Sequence, residues 1–137
     1  MEKMKRLRRR NRKGFTLVEI MIVVAIIALL AAIAIPNLLK AKISANDALA
    51  KATIRSLSTA AETFATTSSG NYPSNITSLT GATPPYINTN YCGATLSGYV
   101  YTCTMAIGSY TFAATPVTVG TSGTTTYTIT TGGVLAP

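Results

Sequence analysis

Few side chains in this sequence can do chemistry, and one of them is out of place. Glu19 lies in a run, residues 15–35, in which only Thr16 and Glu19 itself are not apolar. Moving an acidic side chain into hydrocarbon costs on the order of 3 kcal/mol even on lenient insertion scales, so such a group faces a partner. A cut between Gly14 and Phe15 would create one, because the new α-amino group of Phe15 is a cation four residues from Glu19. The other reactive pair is Cys92 and Cys103, the only two cysteines. An even count in an exported segment favours a disulfide, with two buried thiols as the alternative. Closing a loop of that size contributes roughly 3 kcal/mol in the chain-entropy model.

No charged residue follows Glu62, and the chain has no histidine. Residues 63–137 therefore hold no carboxylate pair, no metal-ligand cluster and no Ser-His or Cys-His arrangement. General acid–base catalysis there has nothing but a thiol to titrate near neutral pH. The expectation is a protein that is not an enzyme and needs neither metal nor cofactor.

The elements that position Glu19 follow from the apolar run. At about 1.5 Å per residue, residues 15–35 make a helix roughly 31 Å long, enough to cross a bilayer core of about 30 Å. The net charge of +8 is uneven: residues 1–14 hold eight Lys or Arg against Glu2, whereas residues 15–137 hold four basic and three acidic side chains. The run Arg8-Arg9-Arg10-Asn11-Arg12-Lys13, flush against a span, reads as a positive-inside signal rather than a nucleic-acid patch. It keeps the leader cytoplasmic and exports the residues beyond the span. An ordinary signal anchor with a chance glutamate is one competing reading. A secretory signal peptide cleaved after Ala32-Ile33-Ala34 is another, although the apolar segment exceeds the usual 7–15 residues.

Gly14-Phe15-Thr16-Leu17-Val18-Glu19, preceded by a short basic leader and followed by an unbroken apolar run to Pro36, resembles the type IV prepilin family. That family includes pilus subunits and the pseudopilins of type II secretion. The resemblance covers residues 8–40 strongly and the remainder loosely. It implies cleavage between Gly14 and Phe15 by a prepilin peptidase, N-methylation of Phe15, and helical filament assembly with an inner-membrane assembly platform as partner. It also implies assembly roles for Thr16, Glu19 and Pro36, with Glu19 pairing to a neighbouring subunit's N-terminal amine. The acidic calcium loop of major type II pseudopilins has no counterpart here, which tilts the choice toward a pilus (fimbrium) subunit or a minor pseudopilin.

Beyond Pro36, apolar residues recur at Leu39, Ile43, Ala50, Ile54, Leu57, Ala61 and Phe64, one face of a helix. Asp47, Lys51, Arg55, Ser58 and Glu62 fall on another face. Pro36 removes one backbone hydrogen bond at a cost of about 3 kcal/mol, and the resumed periodicity predicts a kink rather than an end. The cluster at residues 66–71 stops the helix. Residues 66–97 read as an irregular loop, and residues 98–106, 109–115 and 124–131 as strands, with Val134-Leu135 a possible fourth. The divisions are thus a leader at 1–14, a helix at 15–65, a loop at 66–97 and a sheet at 98–137. The fold class is α+β: a long helix, transmembrane then amphipathic, packed on an antiparallel sheet of three or four strands. Residues 63–137 also hold 20 Thr and seven Ser, a surface hydrated through hydroxyls, glycosylated, or covered by neighbours.

The leading expectation is a pilus-like filament subunit: a single-pass inner-membrane protein with a periplasmic domain, then part of an extracellular or periplasmic filament. A minor type II pseudopilin and an exported, membrane-anchored binding module using the tyrosine-bearing loop are the alternatives.

Overall fold

A computed structural model describes residues 14–137. The leader expected at 1–14 lies outside the described residues except for Gly14. The chain divides into two units, one ending at Pro36 and one spanning Asn37–Pro137. Helix α1 runs Leu17–Thr67 and contains Pro36 within it, not at its end.

In the first unit, α1 is apolar on all sides and long enough to cross a membrane. Such a sequence has no polar face to hydrate, and helix formation satisfies its backbone internally. Its large side chains are exposed throughout, from Leu17 to Ile35.

In the second unit α1 is amphipathic. Ala50, Ile54, Leu57 and Ala61, spaced by four, three and four, are fully buried. They meet a five-stranded antiparallel sheet in the order β1-β2-β3-β4-β5: Thr95–Leu96, Tyr99–Ala106, Ser109–Pro116, Tyr127–Thr130 and Val134–Ala136. Alternation decides which face is covered. Tyr99 and Tyr101 of β2, Tyr110, Phe112 and Ala114 of β3, and Tyr127 and Ile129 of β4 point to the helix and complete the core. The opposite face carries Thr102, Thr104, Thr111, Thr115, Thr128 and Thr130, with Thr111 opposite both Thr104 and Thr130.

The sheet has one strand more than expected. Thr95–Leu96 pairs with Val100 and Tyr99 across a two-residue turn, Ser97-Gly98, both with positive φ (49° and 77°). Two residues are too few for an alternating pattern to declare itself. The buried stripe is also shorter than its periodicity suggested. Leu39 is 47% exposed, and Ile43 and Phe64 are only partly covered. Phe64 packs edge-on to Tyr86 of the loop instead, at 5.5 Å. That loop is not wholly irregular: α2 spans Thr77–Thr80, Leu79 is fully buried, and the Tyr86 amide donates to the Leu79 carbonyl at 2.9 Å.

Candidate processing and assembly site

The described chain begins with Gly14, Phe15 and Thr16, and α1 starts at Leu17. The first amides of a helix lack intrahelical acceptors. Here Thr16 and Glu19 supply them reciprocally. The Thr16 amide and its Oγ1 hydroxyl both donate to Glu19 Oε2, at 2.7 and 2.8 Å, and the Glu19 amide donates back to Thr16 Oγ1 at 3.2 Å. This is a Thr-x-x-Glu capping box, and the carboxylate sits at the positive end of the helix dipole. Glu19 thus has a partner within its own chain. Its second oxygen, Oε1, accepts no hydrogen bond among the described residues. Gly14 has open space where a Cβ would stand, so no packing among the described residues requires glycine there.

Two further carboxylates have roles that periodicity did not reveal. Asp47 and Glu62, expected on a face of α1 other than its apolar stripe, reach across to the sheet. Asp47 Oδ1 accepts from the Tyr99 hydroxyl at 2.6 Å and the Thr124 amide at 3.0 Å, and Oδ2 accepts from Thr124 Oγ1 at 2.5 Å. Glu62 Oε1 accepts from the Tyr110 hydroxyl at 2.7 Å and the Gly132 amide at 2.8 Å, and Oε2 accepts from the Tyr72 hydroxyl at 3.1 Å. Ser58 is buried as well, 2.7 Å from the Tyr110 hydroxyl. The reason lies in the core: tyrosine buries an apolar ring but must find a partner for its hydroxyl, and the flanks of α1 provide it. Tyrosines at alternate strand positions were the available signal.

Burial resists ionisation of Asp47, but the bonds from Thr124 and Tyr99 and the charge of Lys51 outweigh it, and its pKa is lowered. Glu62 is likewise lowered: burial opposes, and Tyr110, the Gly132 amide and Tyr72 prevail. Burial, reinforced by Glu62, pushes the Tyr110 hydroxyl up to about 12. Lys51 lies over the Tyr127 ring, 4.7 Å from its centroid. Tyr99 is seated against Gly123, where a Cβ would overlap its ring.

Cys92 and Cys103 form a disulfide with Cα atoms 5.4 Å apart. It fastens the end of the loop to β2, beside the Gly93 amide bond to the Tyr101 carbonyl at 2.8 Å. Among the described residues, no three His, Cys, Asp or Glu side chains gather as metal ligands.

Residues 9–35 match the family model described as the prokaryotic N-terminal methylation motif. Over 111 residues the chain is 38% identical to the type IV wide pilus major component PilA4 of Thermus thermophilus, an alignment covering 78% of this chain and 84% of that protein. The chain belongs to the type IV pilin family. It is also 54% identical over 55 residues to the type IV major pilin protein PilA of Myxococcus xanthus, covering 40% of this chain and 24% of that pilin. No solved structure matches the chain significantly. The matched motif contains Gly14, Phe15, Thr16 and Glu19 and ends one residue before Pro36. The fold expected of a pilin, a long N-terminal helix with an antiparallel sheet, is the fold described above.

Proposed function

We propose that this chain is the structural subunit of a type IV pilus, held in the inner membrane by residues 15–35 until it polymerises through its N-terminal helix. The observation that carries the reading is the alignment with a pilus major component across most of both chains. Both relatives named above are pilus components, which favours a pilus over type II secretion. In this reading a prepilin peptidase cuts between Gly14 and Phe15, and the amine of Phe15 is methylated. The leader is cytoplasmic and residues 37–137 are periplasmic.

The capping box refines how Glu19 acts. In the lone subunit Thr16 holds Glu19 Oε2 against the start of its own helix. The free Oε1 is left to meet the protonated N-terminal amine of a neighbour, where low dielectric strengthens the attraction. Thr16 is then a positioning residue, and Pro36 marks where the apolar helix passes into the exported one. Expressing the chain in a strain lacking its own pilin and imaging surface filaments tests the function. Filaments that contain the mature chain are expected, and their absence alongside normal processing would refute the subunit reading.

A further inference from the structure

One end of the second unit carries apolar side chains that its loop holds outward. Val117 and Val119 are 59% and 72% exposed, and Leu96 nearby is 38% exposed. Hydrogen bonds hold the loop in this arrangement. The Val117 amide donates to the Gly98 carbonyl at 2.9 Å and the Gly120 amide to the Gly123 carbonyl at 2.8 Å. Ser122 Oγ donates to the Thr118 carbonyl at 3.0 Å, and Asn46 Nδ2 donates to the Ser122 carbonyl at 2.8 Å, tying the loop to α1. The same end is cationic. Lys42 lines a cleft with Ser97, Gly98, Thr121 and Ser122, and Lys40 lines another with Asp47 and Thr124. Asp47 is the one carboxylate in these two clefts, and its charge offsets one of the two lysines. Lys40 is five residues past Ile35, so chain reach alone holds it within about 18 Å of the apolar run.

We propose that this end is a membrane-docking face: Val117, Val119 and Leu96 settle at headgroup depth while Lys40 and Lys42 bind anionic phospholipid headgroups. The inference rests on the reading of residues 15–35 as a span. Exposed valines gain by leaving water at the interface, and lysines near an anionic surface are drawn to it. A second copy is the poorer occupant. Among residues 37–137 the acidic side chains are Asp47 and Glu62, both hydrogen-bonded to their own sheet, so another subunit offers the lysines few carboxylates. A phospholipid surface supplies many.

The chain has no tryptophan, so a single introduced one reports without background. Thr118→Trp places it on the loop, and Ile107→Trp places it in the β2–β3 turn, beside the Glu62-clamped end of the sheet. Each full-length variant is reconstituted in vesicles of phosphatidylcholine and phosphatidylglycerol carrying a headgroup-level spin-labelled lipid as quencher, with protease protection reporting insertion of the span. Emission of the Thr118→Trp chain should fall about threefold, with little change for Ile107→Trp. Adding Lys40→Gln with Lys42→Gln, or Val117→Ser with Val119→Ser, should abolish the difference, and salt should weaken it. Equal quenching at both positions with the span inserted overturns the proposal. Quenching that tracks protein-to-lipid ratio rather than phosphatidylglycerol content also overturns it and assigns the face to a second copy. A span that does not insert refutes the anchoring reading instead, a separate result.

Discussion

Removal of the Asp47 carboxylate tests whether the helix and sheet are joined by polar clamps as well as by the core. Asp47→Ala deletes three hydrogen bonds, from the Tyr99 hydroxyl, the Thr124 hydroxyl and the Thr124 amide. Bonds to a charged group contribute about 1.5–3 kcal/mol each when independent. Here they share one acceptor at a site reached by water, and Tyr99 keeps the Thr125 carbonyl at 3.0 Å. The expected loss is therefore nearer one strong bond than three, about 2–3 kcal/mol. For a unit of this size that lowers Tm by about 10–20 °C, measured by thermal unfolding of the full chain in detergent. The titration gives an independent signature. The folded pKa values of Asp47 and Glu62 lie below their ordinary 3.8 and 4.5. The native state thus binds fewer protons than the unfolded state across that window. The stability these acids contribute is complete above the ordinary values and is lost as pH falls through the lowered ones. Asp47→Asn should flatten part of that acid slope, and Asp47→Asn with Glu62→Gln most of it. A Tm within about 3 °C of the parent for Asp47→Ala, with an unchanged acid slope, would refute the clamp.

Intact-mass analysis of membrane-extracted protein should show a chain beginning at methylated Phe15; a start at Ile35 would establish signal-peptide cleavage instead. Glu19→Ala should leave insertion and cleavage intact while filament number, counted by electron microscopy, falls by about tenfold or more, as expected for loss of several kcal/mol per buried pair. Thr16→Val, which removes the hydroxyl that donates to Glu19, should impair assembly less, because the Thr16 amide still donates at 2.7 Å. Replacing Cys92 or Cys103 by serine should cost about 3 kcal/mol in the second unit without affecting cleavage, as read by thermal unfolding and by mass. Gly123→Ala should displace the Tyr99 ring and lower stability by about 1–3 kcal/mol, the usual cost of overpacking, again read by thermal unfolding.

Much of this molecule was legible because its strongest signals are local. An uninterrupted apolar run, a Gly-Phe start and a 3.6-residue stripe at Ala50, Ile54, Leu57 and Ala61 each declare themselves within one segment. The strands Tyr99–Ala106, Ser109–Pro116 and Tyr127–Thr130 were nearly as plain, since large apolar or aromatic residues alternate with small or hydroxyl ones, although the third was expected from residue 124 and starts three residues later. What stayed hidden depends on pairs far apart in sequence. Asp47 and Thr124 are 77 residues apart and Glu62 and Gly132 are 70 apart, and helical periodicity alone says only that both acids lie off the apolar stripe. The Thr16-x-x-Glu19 cap is a local signal too, but in an apolar run a lone carboxylate points to a distant cation before a hydroxyl three residues away.

The threonine face of the sheet matters most when copies are many. A polymer multiplies whatever charge its repeating unit displays, and the resulting line charge governs whether fibres repel or lie side by side. Residues 15–137 hold four basic and three acidic side chains, all on α1, and the sheet has none. A fibre that displayed this sheet outward would have almost no long-range repulsion for salt to screen. Its contacts with neighbouring fibres would be set by hydroxyl hydration, an interaction of molecular range. Bundling would then depend on fibre concentration and hardly at all on ionic strength.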